Sequence, residues 1–201
     1  NLESQAFGPL THADEMGMSL ANLEYRLTLD PEYTALFLEA FEDGVTFQNV
    51  AKALAQFERT LISSNSRYDK YIRNERGGEI NELELKGLTI VQEKCSSCHS
   101  GELFTDNGFH NNGIDESFLD ESHELSYQGR YRITFEQKDM GAFKTPTLRN
   151  VMVSAPYMHD GRFSGREEVL QHYSEEIKDV STTSRKLYQN NGKVGLALSE
   201  I

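Results

Sequence analysis

The sequence predicts a mainly α protein, and three observations carry that reading. Apolar residues recur at helical spacing behind capping side chains, and there is no convincing run of strands. A long stretch rich in Gly, Asn, Asp and Ser, from residue 100 to 145, has little periodicity, and such a loop inside a domain is usually functional or wrapped around something. Just before it, a helical pattern runs straight into Cys95-Ser96-Ser97-Cys98-His99, the pattern C-x-x-C-H.

The elements follow in order. Ser19 caps a helix with Leu20, Leu23 and Leu27 on one face, and Asp30-Pro31 starts a second that carries Leu36, Phe37 and Phe41. Thr46 opens a longer helix with Val50, Ala53, Leu54, Phe57 and Leu61 at helical spacing. The polar, aperiodic stretch SSNSRYDKYIRNERGG then reads as a linker, which places a boundary near residues 63 to 66. Asn81 caps a helix that should bury Leu85, Leu88 and Val91. A capping box of Ser164 with Glu167 opens the last helix, through Val169 and Leu170 to Tyr173.

Composition narrows the function. The chain has 201 residues and a net charge of −12, which argues against nucleic acid as a partner. No apolar run approaches the roughly 18 residues that span a bilayer. The first residues, NLESQAFGPL, contain neither the basic nor the apolar region of a signal peptide and read as mid-domain sequence, so a trimmed chain or a fragment is expected. Both cysteines lie in the motif, so no disulfide framework is expected.

Covalent haem c needs two thiols placed along the porphyrin edge and a histidine held beneath the iron, and Cys95, Cys98 and His99 meet that need. A zinc half-site would need a second ligand pair, and a thioredoxin-type pair should start a helix after a strand. Haem c is attached outside the cytoplasm, which points to the bacterial periplasm. Spacing alone leaves the opposite iron ligand open among Met140, Met152, Met158, His110, His123, His159, His172 and Tyr173.

The run GAFKTPTLRNVMVSAPYMHDGRFSGREEVLQHY, together with QAFGPLTHADEMGM, ALAQFERTLISSNSRYDKYI and GFHNNGI, strongly resembles the bacterial di-haem cytochrome c peroxidase and MauG family. The resemblance covers nearly the whole chain. It implies that residues 1–64 are the helical end of a first, peroxidatic cytochrome c-like domain. Residues 65–201 are then a second cytochrome c-like domain, with long loops around its covalent haem c and without its final helix. A second haem is expected in the intact protein.

Carried over to this sequence, the resemblance makes Gln5 and Glu15 a distal-pocket amide and acid, with Pro9 between them on the same loop. It makes Ser154 and Pro156 calcium ligands through their carbonyls, places His159 beside the second haem, and suits Arg149 to a haem propionate. The electron-transferring peroxidases of the family bind the second iron through a methionine fourteen positions after the His159 equivalent, where this chain has Tyr173. MauG-type members have an iron-binding tyrosine there, so Tyr173 is the expected ligand and His172 the fallback. The implied activity is reduction of hydrogen peroxide, with electrons from a small cytochrome c or cupredoxin. The alternatives are MauG-like oxidation of a protein substrate and a mono-haem electron carrier. A homodimer is a further expectation.

Overall fold

The structure is a computed structural model that describes residues 1–118 and 126–198. The chain divides after Asp69 into two compact units, where the sequence suggested a change near residue 64.

The first unit opens with a helix that the sequence reading missed. Asn1 accepts from the Ser4 amide at 2.8 Å and starts α1, Leu2–Thr11, with Pro9 inside it. Gln5 and Pro9 therefore lie on a helix, not on a loop, because the Asn1 cap outweighs the proline signal; Glu15 follows in the turn beyond. Ser19, Asp30 and Thr46 then cap α2 (Leu20–Thr28), α3 (Pro31–Ala40) and α4 (Phe47–Thr60), each accepting from an amide two or three residues on. Helices α1 and α4 pack together, with Phe7 edge-on to Phe47 and Arg59 paired with Glu3.

The buried face of α4 differs from the expectation. It is made of Asn49, Val50, Ala51 and Ala55, whereas Leu54, Phe57 and Leu61 are exposed. Small alanines allow α1 and α4 to approach closely, so the larger residues turn outward. Asn49, 1% exposed, donates to Asp43 Oδ1 at 2.7 Å and to the Gly44 carbonyl at 2.9 Å, which satisfies its buried amide nitrogen.

A second missed helix, α5 (Arg67–Ile72), lies in the stretch read as a linker. Asp69 is buried, and its carboxylate accepts from the Ser66 amide and hydroxyl. That local bond can fix a turn without any apolar periodicity.

In the second unit the Asn81 capping box with Glu84 starts α6, Glu82–Ile90. Its Leu85, Leu88 and Val91 face is not buried, and Leu85 is exposed. Periodicity identified an apolar stripe, but nothing among the described residues covers it fully. α6 widens into a π-turn, Val91–Cys95, that delivers the first cysteine.

The long loop region contains short elements. Strand β1 (Phe109–His110) pairs antiparallel with β2 (Phe143–Lys144), and α7 (Tyr131–Thr134) lies between them in sequence. The core of the unit includes Ile114, Met140, Ala142, Ile177 and Leu187.

The last helix, α8 (Arg166–Gln171), begins one residue later than predicted. Gly165, not Ser164, is its cap, and Glu168, not Glu167, closes the box. The Glu168 carboxylate gathers the amides of Ser164 and Gly165 together with the Ser164 hydroxyl. Three donors on one carboxylate hold it below the usual carboxylate range. α8 passes into a second π-turn, His172–Glu176.

Candidate functional site

The cysteine motif is a closed turn. The Cys98 and His99 amides both donate to the Cys95 carbonyl, at 3.1 and 2.8 Å. The Cys98 carbonyl in turn accepts from the Asp106 amide at 2.7 Å. The two thiols are half-buried, and burial raises the pKa of each. At Cys98 the positive charge of Lys186 works against that rise.

His99 Nδ1 lies 3.0 Å from the Phe104 carbonyl. A carbonyl only accepts, so Nδ1 carries the proton and Nε2 keeps its lone pair for a metal. Phe104 is held in the left-handed region, φ 52°, and aims that carbonyl. A main-chain acceptor of this kind has no signature in the sequence.

The segment 108–113, GFHNNGI without its last residue, organises the rest of the unit. His110 Nε2 bonds Asp106 at 2.8 Å. Asn111 is buried, donates to Thr182 Oγ1 at 2.8 Å, and accepts from the Gly113 amide at 2.8 Å. The Asn112 carbonyl lies 3.0 Å from His172 Nε2, and its side-chain nitrogen lies 3.4 Å from Tyr173 Oη and 3.5 Å from Met158 Sδ. The Asn112 Oδ1 atom is buried without a hydrogen-bond partner.

This geometry sorts the iron-ligand candidates. Met140 is core and Met152 is exposed. His110 is committed to Asp106, and His172 is buried against a backbone carbonyl. His123 lies outside the described residues. Tyr173 and Met158 share the Asn112 amide. Tyr173 as a whole is half-buried, yet its hydroxyl end is set deeply enough that burial dominates and pushes its pKa up. The Asn112 hydrogen bond pulls the other way, and the fields of Cys98 and Cys95 add to the rise. The phenol therefore lies within electrostatic reach of both thiols.

The remaining predicted residues sit as follows. His159 stacks on Phe143 with ring centres 3.9 Å apart, meets Tyr127 edge-on, and lies 3.6 Å from Asp115. Its side chain is 11% exposed, its Nε2 has no hydrogen-bond partner, and burial lowers its pKa. Arg149 Nε donates to the Glu102 carbonyl at 2.8 Å. Ser154 and Pro156 are exposed, and Ser154 Oγ donates to the Val151 carbonyl at 3.1 Å. Gln5 and Glu15, in the first unit, are both exposed.

Cys98, Asp106 and His110 also bring three metal-ligating atoms within 4.8 Å of one another. The Lys186 ammonium already stands among them, 2.7 Å from Asp106 Oδ2 and 3.5 Å from His110 Nε2. A zinc ion would have to displace that cation and would still lack a fourth protein ligand among the described residues.

Comparison with known proteins identifies the lineage. Residues 1–77 match the family model for di-haem cytochrome c peroxidase. The methylamine utilization protein MauG of Methylophilus methylotrophus is 37% identical over 191 residues, covering 92% of this chain and 55% of that protein. The chain belongs to the di-haem cytochrome c peroxidase and MauG family. A cytochrome c551 peroxidase of Nitrosomonas europaea is 30% identical over 173 residues, covering 85% of this chain and 51% of that protein. Among solved structures, a MauG-like protein associated with microbial copper homeostasis superposes with a TM-score of 0.78 at 30% identity, covering 98% of this chain and 64% of that one. The chain spans about half the length of the curated relatives it matches. Membership implies haem c as the cofactor class. No helix among the described residues is long and apolar enough to cross a membrane.

Proposed function

We propose that this chain is the haem c-binding, electron-relaying part of a periplasmic di-haem oxidoreductase that uses hydrogen peroxide as oxidant. The observation that carries the reading is the closed Cys95–His99 turn, with His99 Nδ1 tied to the Phe104 carbonyl and Nε2 left to bind. The donor set fits a haem c. Two half-buried thiols can hold its edge, one imidazole nitrogen is preset, and the Tyr173 phenol, from a different segment, lies within electrostatic reach of both thiols. A haem bound there supplies one-electron chemistry at its iron.

The chain's residues supply orientation and charge. Phe104 fixes the His99 ring, and Asn112 fixes the Tyr173 hydroxyl. Phenolate ligation favours the oxidised iron states. The resemblance supports His159, stacked on Phe143 with no hydrogen-bond partner at its buried Nε2 atom, as a residue beside the same group. In the first unit, Glu15 offers a carboxylate that can take a proton from one peroxide oxygen and return it to the other, and the resemblance supports Gln5 as an amide of the same pocket. The resemblance also supports calcium held by the Ser154 and Pro156 carbonyls, hard oxygen donors suited to that ion. An Arg149–propionate contact has the same support.

Tyr173 favours a second reading, MauG-like oxidation of a protein substrate, over reduction of peroxide with electrons from a small cytochrome c or cupredoxin. The test is a pyridine-haemochrome count on the haem-loaded protein with the ferric spectrum of Tyr173→Phe. Covalent haem at Cys95 and Cys98, and a spectrum altered by the substitution, are expected. A protein without covalent haem refutes the proposal, and an unchanged spectrum removes Tyr173 as ligand.

A further inference from the structure

One side chain that bonds the cysteine turn comes from a segment distant in sequence. Lys186 lies in the 3₁₀ turn Arg185–Leu187, and its ammonium donates to the Ser97 carbonyl at 2.6 Å. Ser97 stands between the two cysteines, so this bond is made to the turn itself. The same ammonium bonds Asp106 Oδ2 at 2.7 Å. Asp106 closes the ring, since its own amide donates to the Cys98 carbonyl at 2.7 Å and its carboxylate also receives His110 Nε2 and the Gly108 amide.

We propose that Lys186 is a positioning residue for the haem-attachment turn: it ties the turn to the C-terminal segment and fixes one positive charge beside Cys98. The inference rests on the haem c reading of Cys95, Cys98 and His99. An exposed lysine–carboxylate pair by itself would carry little, because such pairs are screened by water. This one is different in its second acceptor, a carbonyl inside the motif. It also differs in the number of donors on Asp106. Burial would raise the Asp106 pKa, but the bonds from Lys186 and His110 and the Gly108 amide hold the carboxyl well below the usual carboxylate range. Asp106 therefore stays ionised and keeps the ammonium in place.

The charge has a redox consequence. Reduction removes one positive charge from the haem iron, and a fixed cation nearby favours the state with less positive charge. Lys186 accordingly raises the reduction potential of the haem held at Cys95 and Cys98. The Asp106 carboxylate, whose oxygen lies within 4.8 Å of the Cys98 sulfur, offsets part of this in the parent, and the Lys186→Met change removes only the positive charge.

The experiment compares Lys186→Met and Lys186→Arg with the parent in the haem-loaded protein. Potentiometric titration, followed optically, reads the midpoint of this haem, and a haem stain after denaturing electrophoresis reads its covalent attachment. The expected result is a lower midpoint for Lys186→Met and recovery toward the parent value for Lys186→Arg. An unchanged midpoint in Lys186→Met overturns the proposal. Should Lys186→Met lose covalent haem, retention of haem by Lys186→Arg supports the positioning role, and equal loss in both overturns it. A parent protein with no covalent haem at all refutes the haem c reading itself, which is a separate outcome from either variant result.

Discussion

Gly113→Ala is the substitution with the most sharply defined cost. Gly113 has φ +65°, its amide donates to Asn111 Oδ1, and its carbonyl accepts from the Lys178 amide at 2.7 Å. A Cβ at this position would lie 2.4 Å from Ile177 Cγ2, 2.6 Å from the Lys178 carbonyl oxygen and 3.0 Å from the Lys178 amide nitrogen. Ile177 could rotate, but the Lys178 backbone can yield only by moving the chain. The left-handed conformation costs an L-residue about 1–2 kcal/mol. Overpacking adds about 1–3 kcal/mol, and loss of the Lys178 bond adds about 1 kcal/mol. A total on the order of 3–6 kcal/mol is a large share of the roughly 5–15 kcal/mol by which domains are stable. Urea unfolding followed by circular dichroism should show a midpoint lowered by at least about 1 M, given slopes of about 1–3 kcal/mol per molar. Residues 177–178 directly follow the π-turn that holds Tyr173, so any backbone shift passes to the phenol. An unfolding free energy within about 0.5 kcal/mol of the parent, the range of an ordinary surface change, would refute the argument.

Two other outcomes follow from the same segment. Asn112→Ala removes two long hydrogen bonds together with an orphaned Oδ1, so the stability loss should stay near about 1 kcal/mol. The visible spectrum of the haem-loaded protein should nevertheless change; an identical spectrum would mean that Asn112 does not orient Tyr173. Burial lowers the His172 pKa below the ordinary 6.5, against smaller opposing effects that include the Asn112 hydrogen bond. The unfolded chain then binds the proton more readily, so the His172 contribution is intact above 6.5 and is lost as pH falls from there toward the folded value. His159 is shifted in the same direction. Thermal midpoints measured between about pH 7.5 and 5, where imidazoles titrate, should decline, and a flat profile in that range would contradict this.

What could be read from the sequence was local. Ser19, Asp30, Thr46 and Asn81 cap helices through bonds spanning two or three residues, so a short window contains the whole interaction. The C-x-x-C-H turn is equally self-contained. The shifted cap at Gly165 and the missed α1 and α5 show the limit, because there polar side chains or a proline obscured a local bond that was nonetheless made. The partners that shape the site were illegible for two reasons. Some are carbonyls, such as those of Phe104, Ser97 and Asn112, which every residue possesses. Others are distant in sequence, as Lys186 is from Ser97 and Tyr173 from Asn112. Apolar spacing also identified stripes on α4 and α6 without saying what would cover them.

Both segments that present candidate iron-facing groups leave their helices through a π-turn, Val91–Cys95 after α6 and His172–Glu176 after α8. A π-turn contains one residue more than the α-turn it replaces. Removal of a single residue from either turn would let the ordinary helix continue and swing everything after it by about 100°. Loops elsewhere in such a protein can gain or lose residues at little cost, but these two turns are counting devices. In a lineage of related sequences, chain-length variation should skip both turns, and a designer shortening the protein would have to leave them whole.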